Sequence, residues 1–444
     1  MARKTAAKKA ASAARKPSIP DAHGDYSWFN DARFGMFIHW GLYAMPARHE
    51  WVKHVEQIST ADYAKYYTRF DPDLYNPKAW AKAAREAGMK YFCITTKHHE
   101  GFCLWDSKYT DYKAPNTPCG KDLLRPMVDA FRDEGLHVGF YYSLIDWHHE
   151  QFGVDRIHPM RGNADERKKN AKRDVSKYAQ YMRDQVRELL TQFGKIDYLF
   201  FDFSYPGEDG KGWQDYESDK LLTMVRQLQP HILVNDRLDL LDIPGGWDVK
   251  TPEQFMVRKP VTWKGKPVCW ETCQTFSGSW GYHRDEQTWK SVDQLLMMLI
   301  DTTSKNGNVL LNVGPTARGE FDARAMDRLS GMGAWMQKHS RSIYGCGVAP
   351  GGFKAPNGTR LTYNAKTKRL YMHIFDWPIG TMGLDGFAGK VKYAQFLHDA
   401  SEIRWSTQTH GHVGTDAEKD HKTIYLHLPV IRPNVAVPVV EMYL

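Results

Sequence analysis

Two carboxylates and a guanidinium lie within one stretch of the chain, from Lys195 to Glu253. Tyr198, Leu199, Phe200 and Phe201 form an apolar run too short for a helix. It fits a strand buried on both faces, and Asp202 ends it. A second apolar run, His231 to Val234, ends in Asn235-Asp236-Arg237, and Glu253 follows in the next loop. Barrel enzymes keep their chemistry at the C-terminal mouths of buried parallel strands, because the strand fixes the backbone while the following loop opens to substrate. An Asp there can equally cap the next segment or pair with a surface base, so the stretch needs support from elsewhere. Two carboxylates across one pocket meet the requirement of glycoside hydrolysis with retention, one as nucleophile and one as acid, then base. Asp202 and Glu253 are the pair expected here. Glu271, on an apolar strand beside Trp270, is the rival for the acid/base role, and Glu50 a more distant one. Glu253 is favoured because a loop position can adapt to a leaving group.

Other strand mouths supply the missing support. Phe34 to Ile38 is strand-like and ends in His39-Trp40-Gly41, before an aromatic loop closing with Glu50-Trp51. Met89 to Thr96 ends in Lys97-His98-His99-Glu100. Adjacent histidines on a strand point to opposite faces and make a poor metal pair, whereas in a loop both can reach one sugar ring. His137 to Ser143 is a further strand whose Tyr141 and Tyr142 alternate, one toward the pocket and one toward the helices. Between these runs lie helices: one opened by Asn76-Pro77 and closed by Gly88, then Asp122 to Gly135, a long basic run from Arg156 to Arg187, and Glu217 to Leu228. The strand-helix alternation continues through Val268 to Thr272, a helix over 287–304, Val309 to Val313 and a helix over 320–339. This is the pattern of a parallel (β/α)8-like, TIM-type barrel.

After Tyr344 the texture changes. Runs of alternating polarity at Leu361 to Tyr363, Leu370 to Phe375, Val391 to Leu397, Thr423 to Leu428 and Ala436 to Tyr443 imply an antiparallel β-sandwich. The expected organisation is a disordered basic tail over 1–25, a catalytic barrel over 26–345 and a sandwich over 346–444.

Composition narrows the function classes. The net charge of +8 hints at nucleic acid, but residues 2–16 carry six Lys/Arg and no acid; without those six the chain has 54 basic and 52 acidic residues. The body is near neutral, so a polyanion role would rest on the tail alone. The tail lacks the apolar segment of a secretory signal, no run is long enough for a membrane span, and a cytoplasmic location is expected. Six cysteines without paired spacing read as buried free thiols, and no metal or cofactor is expected. Aromatic residues make up 13% of the chain, in keeping with a sugar-binding cleft.

In this order FGMFIHWGLYAMPARHEW at 34–51, TTKHHEGFCLWDS at 95–107, GFYYS at 139–143, FFDFS at 200–204, NDR at 235–237, DVKTPEQ at 248–254, WETCQTFSGSWGY at 270–282 and NGNVLLNVGPTARGE at 306–320 resemble the family 29 glycoside hydrolases, the α-L-fucosidases. The resemblance implies a barrel followed by a sandwich, and a fucosylated oligosaccharide or glycoconjugate as substrate. It implies Asp202 as nucleophile, Glu253 as acid/base, and His39, Glu50, Trp51, His98, His99, Tyr141, Arg237 and Trp280 as sugar contacts, with Trp280, Phe37 and Trp51 walling the fucose methyl. TPEQ together with WETCQTFSGSWGY leans toward the branch that prefers α1,3/4 linkages. The chain departs from the family pattern where Phe200 and Phe203 flank the aspartate in place of Trp and Gly, and where Glu100 follows the histidine pair in place of Asp.

Overall fold

The computed structural model describes residues 19–20, 24–407 and 422–444. The expected basic tail falls outside these except at its end. There Ile19 is buried in the main hydrophobic core.

The apolar runs form one seven-stranded sheet: β1 (Phe34–Ile38), β2 (Tyr91–Lys97), β3 (His137–Ser143), β4 (Tyr198–Asp202) and β5 (Leu233–Val234), then, after a small hairpin of β6 (Thr262–Trp263) and β7 (Lys266–Pro267), β8 (Glu271–Thr275) and β9 (Asn308–Val313). The order is β5-β4-β3-β2-β1-β9-β8, and each neighbouring pair is parallel. Nearly every residue of these strands is buried, which is why they read as continuous apolar runs without alternation. The helices between them start on side-chain caps. Asn76 accepts from Ala79 N at the head of Pro77–Glu86, and Ser291 and Gln294 make a reciprocal capping box on Val292–Thr303.

Two sequence expectations change. The expected closed (β/α)8 barrel is a seven-stranded parallel sheet, and where an eighth strand would close it there is no regular strand. Between β5 and β8 the segment 248–254 makes only isolated parallel bridges, Asn235 with Val249, Lys250 with Trp270, and Glu253 with Cys273. Pro252 in its middle has no N–H to donate, which prevents a continuous ladder. The basic run from Arg156 to Arg187 is likewise not one helix. Asn163 caps a short helix, Ala164–Lys168, and Asp174 caps the long one, Val175–Gln192. Each of these side chains takes the free N–H groups of a new first turn, so the run is divided.

The C-terminal region contains two antiparallel sheets. One has the order β10 (Thr359–Asn364), β11 (Arg369–Ile374), β16 (Val439–Tyr443), β13 (Tyr393–Phe396); the other has β12 (Thr381–Asp385), β15 (Thr423–His427), β14 (Trp405–Ser406). Leu370, Met372 and Met442 of the first sheet share a core with Met382, Leu384 and Leu426 of the second, as in a sandwich. Tyr371 and Val439, on the opposite face of the first sheet, join the core of the parallel sheet. All five runs expected as strands are strands; β12 and β14 were not anticipated.

Candidate active site

All ten residues singled out as the candidate site line one pocket at the C-terminal ends of the parallel strands, together with Phe37, Phe200, Phe203 and Cys273. His39 directly follows β1, His98 and His99 follow β2, Tyr141 lies in β3 and Asp202 closes β4. Arg237 follows β5, Glu253 sits in the bridged segment, and Trp280 lies in the loop after β8. The rival carboxylate is elsewhere. Glu271 is the first residue of β8, at the opposite end of the sheet, where the Tyr91 and Tyr198 hydroxyls donate to it. Burial pushes its carboxyl up to about 7.

One guanidinium organises the acids. Arg237 Nη1 lies 2.6 Å from Asp202 Oδ1, and Nη2 lies 2.6 Å from Glu253 Oε2. Because both nitrogens belong to one planar fork, the two bonded oxygens lie within roughly 7.5 Å, compatible with the ~5–5.5 Å of a retaining pair. Tyr141 donates its hydroxyl to Asp202 Oδ2 at 2.9 Å. Burial raises the Asp202 pKa, but the Arg237 charge, His99 and the Tyr141 hydrogen bond outweigh it and leave the carboxyl below its ordinary range. Asp202 is thus held as an anion, the form a nucleophile requires. Glu253 is held by Arg237 alone and its side chain is 39% exposed, so it is the acid free to move. The free space of the pocket is about 60 Å³, well under the ~300 Å³ at the lower end of drug-sized sites.

The three histidines are neutral, and the hydrogen-bond network assigns the tautomers of two. Asn312 Nδ2 donates to Trp280 O at 2.6 Å, which turns its Oδ1 toward His39 Nδ1, also at 2.6 Å. His39 Nδ1–H is therefore the donor and Nε2 keeps a lone pair for a hydroxyl. Ser143 Oγ donates to Ile145 O and stands 2.6 Å from His99 Nδ1, so this nitrogen also carries the proton. His99 Nε2 lies 4.0 Å from Asp202 Oδ2. Burial lowers His39 to about 3 and His99 to about 4, and takes His98 well below its usual value.

Carboxylates also tie the site loops together. Glu50 accepts from Trp280 N at 3.2 Å and Gly281 N at 2.7 Å, fixing the tryptophan loop to the β1 loop. A side chain at Gly281 would meet Tyr43 and the Glu50 backbone within about 3 Å, so glycine is required for this approach. Burial raises the Glu50 carboxyl, against the pull of these N–H groups. Glu100 is buried outside the pocket, where it accepts from Leu42 N at 3.0 Å and from the Tyr63 hydroxyl. It thereby joins the histidine loop to the β1 loop, which accounts for a carboxylate after the histidine pair. Phe203 lines the pocket in a left-handed conformation, φ 74°, with its ring 5.1 Å from Trp51 and 5.2 Å from His99. A bulky residue held there marks a constrained position beside Asp202.

Asn312 and Ser143 were not identified from sequence. Their signal was a polar side chain inside or ending a buried apolar strand, NVLLNV and HVGFYYS. Asn312→Ala leaves both the His39 N–H and the Trp280 carbonyl without partners. At about 1–3 kcal/mol for an unsatisfied buried group, kcat/KM should fall roughly 10- to 100-fold. A variant within twofold of wild type would show that Asn312 does not hold the site.

A pocket holding two acids on a shared guanidinium, at the mouth of a parallel sheet, defines a glycoside hydrolase. The Alpha-L-fucosidase family model matches residues 2–341, and the chain belongs to that family. Among solved structures it is similar to α-L-fucosidase isoenzyme 1 from Paenibacillus thiaminolyticus, with 46% identity and TM-score 0.87, covering 94% of this chain and 98% of that one. It also resembles a trapped covalent intermediate of a Bacteroides thetaiotaomicron α-L-fucosidase with 2-fluoro-fucosyl fluoride, with 27% identity and TM-score 0.78 over 96% and 98% of the two chains. The α-L-fucosidase of Dictyostelium discoideum is 26% identical over 94% of this chain and 91% of its own length.

Proposed function

We propose that this chain is a retaining exo-α-L-fucosidase that removes terminal α-L-fucose from fucosylated glycans by double displacement. The supporting observation is the Arg237 fork, which binds both Asp202 and Glu253 in one pocket. In this reading Asp202 attacks the anomeric carbon and forms a fucosyl ester. Glu253 gives its proton to the leaving oxygen, then takes one from the water that hydrolyses the ester. His39, His98, His99 and Glu50 hold the ring hydroxyls, while Phe37, Trp51 and Trp280 wall the methyl at C5. The covalent intermediate of the Bacteroides relative is consistent with this course.

Further parts of the reading are a catalytic body over 26–345 supported by a sandwich over 346–444, α1,3/4 linkages, and action in the cytoplasm. The linkage rests on the motifs at 251–254 and 270–282. The location is supported by six free cysteines, four of them buried. The test is to follow an aryl α-L-fucoside by proton NMR and to compare it with a Lewis-type trisaccharide. The first-formed fucose should be the α anomer, with higher kcat/KM on the trisaccharide. A β anomer at early times would rule out double displacement.

A further inference from the structure

We propose that the cleft walled by residues 256–258, the helix Val292–Thr303 and the edge of the C-terminal sheet binds the glycan that bears the fucose. This inference rests on the reading of Glu253 as acid/base, because that carboxyl must face the glycosidic oxygen and the rest of the glycan must leave past it. The pocket behind Glu253 has only about 60 Å³ of free space, so the other sugars lie outside, on the Glu253 side.

The chain immediately beyond Glu253 is built as a fixed, exposed rim. Gln254 N donates to Cys273 O at 3.1 Å and its side-chain amide to Thr275 Oγ1 at 3.0 Å, while Gln274 Nε2 donates to Phe255 O at 3.3 Å. Gln254 is held in the left-handed region at φ 59°, a conformation a non-glycine residue adopts at a cost. Despite this anchoring, Phe255 is 57% and Met256 41% exposed. Exposed apolar side chains on a pinned loop suit the apolar faces of sugar rings.

From that rim a cleft of about 810 Å³ opens between the two parts of the molecule. Met256 and Met297, each 41% exposed, offer apolar surface. Arg258, on the loop after Glu253, and Asp376, in the C-terminal region, both line it and pair with no protein group among the described residues. A free fork of donors and a free acceptor carboxylate, flanking apolar walls, match the alternating hydroxyls and C–H faces of a neutral oligosaccharide. Met256 lies three residues beyond Glu253 across a bend at Gln254 and Phe255, which keeps the near edge of the cleft within about 10 Å of the acid along the chain. The cleft therefore lies within reach of the sugars that follow the scissile bond.

The test uses three probes on the full-length protein and on Arg258→Ala and Asp376→Ala, whose positions on the surface spare the core. α-L-Fucosyl fluoride carries no glycan; a Lewis-type pentasaccharide carries four further sugars; and the tetrasaccharide left on removing its fucose needs no catalysis to bind. Each variant should lose at least tenfold in kcat/KM on the pentasaccharide, through KM, with fucosyl fluoride within twofold of wild type. The tetrasaccharide, measured by calorimetry, should bind at least tenfold more weakly to each variant. Unchanged pentasaccharide kinetics, or equal losses on pentasaccharide and fluoride, would overturn the cleft. If wild type failed to hydrolyse fucosyl fluoride with retention, the roles of Asp202 and Glu253 would fall instead, and the tetrasaccharide measurement would still decide the cleft.

Discussion

Asp202→Ala should abolish turnover, with a loss of at least about 10⁴-fold in kcat on an aryl α-L-fucoside. The size follows from what the side chain does in the proposed mechanism. It supplies the electron pair for the covalent bond, and none of the groups it touches can replace it. Arg237 is committed to donating, Tyr141 is a neutral phenol pushed well above its usual pKa by burial, and His99 Nε2 is 4.0 Å away on the far side of Oδ2. The same substitution should prevent labelling by 2-fluoro-fucosyl fluoride, read by intact mass, whereas wild type gains one fluorofucosyl group. The Arg237 charge would lose one of its two partners, so the thermal midpoint should also fall. Ordinary activity in the variant, or an adduct mapped to a different residue, would remove Asp202 from the mechanism.

Part of the site was legible because His39, His98, His99 and Asp202 end or directly follow an apolar run. FGMFI before His39, ITT before Lys97-His98-His99 and YLFF before Asp202 all become parallel strands, and a residue at a strand's end has its place in space set by the strand. The alternation at Tyr141-Tyr142 resolved in the same way, with Tyr141 on Asp202 and Tyr142 donating to Gln185 on the outer helix. Where the apolar pattern fails, so did legibility. The segment 248–254 is polar and interrupted by Pro252, and it holds its place through backbone bonds to Cys269 and Cys273 that no local pattern encodes. β14 has two residues, too few for alternation to register. Asn312 was hidden for a related reason. Its role depends on two partners, His39 and Trp280, separated from it by 273 and 32 positions, and only the closure of β1 onto β9 brings them together.

Glu253→Ala should separate the two steps that the carboxyl serves. With an aryl fucoside whose phenol leaves readily, the first step needs little proton assistance, so the ester forms and accumulates. The second step, deprived of its base, should slow by about 10²–10⁴-fold. Azide, a nucleophile that needs no base, should restore turnover by attacking the β-linked ester from the opposite face, so that the two inversions yield α-fucosyl azide. A natural glycan, with a poor leaving group, should remain unreacted because the first step is then blocked as well. The structure gives a reason to expect the rescue to work: the Glu253 side chain is exposed at the mouth, so its removal opens a path for a small anion toward Arg237 without disturbing the strands beneath. Glu271→Ala provides the control. Its carboxyl sits among Tyr91 and Tyr198 at the other end of the sheet, so that variant should lose stability and show no azide rescue. Rescue of Glu271→Ala with none for Glu253→Ala would transfer the acid/base role to the other end of the sheet, and the Arg237 fork would then have to be read as a structural ion pair.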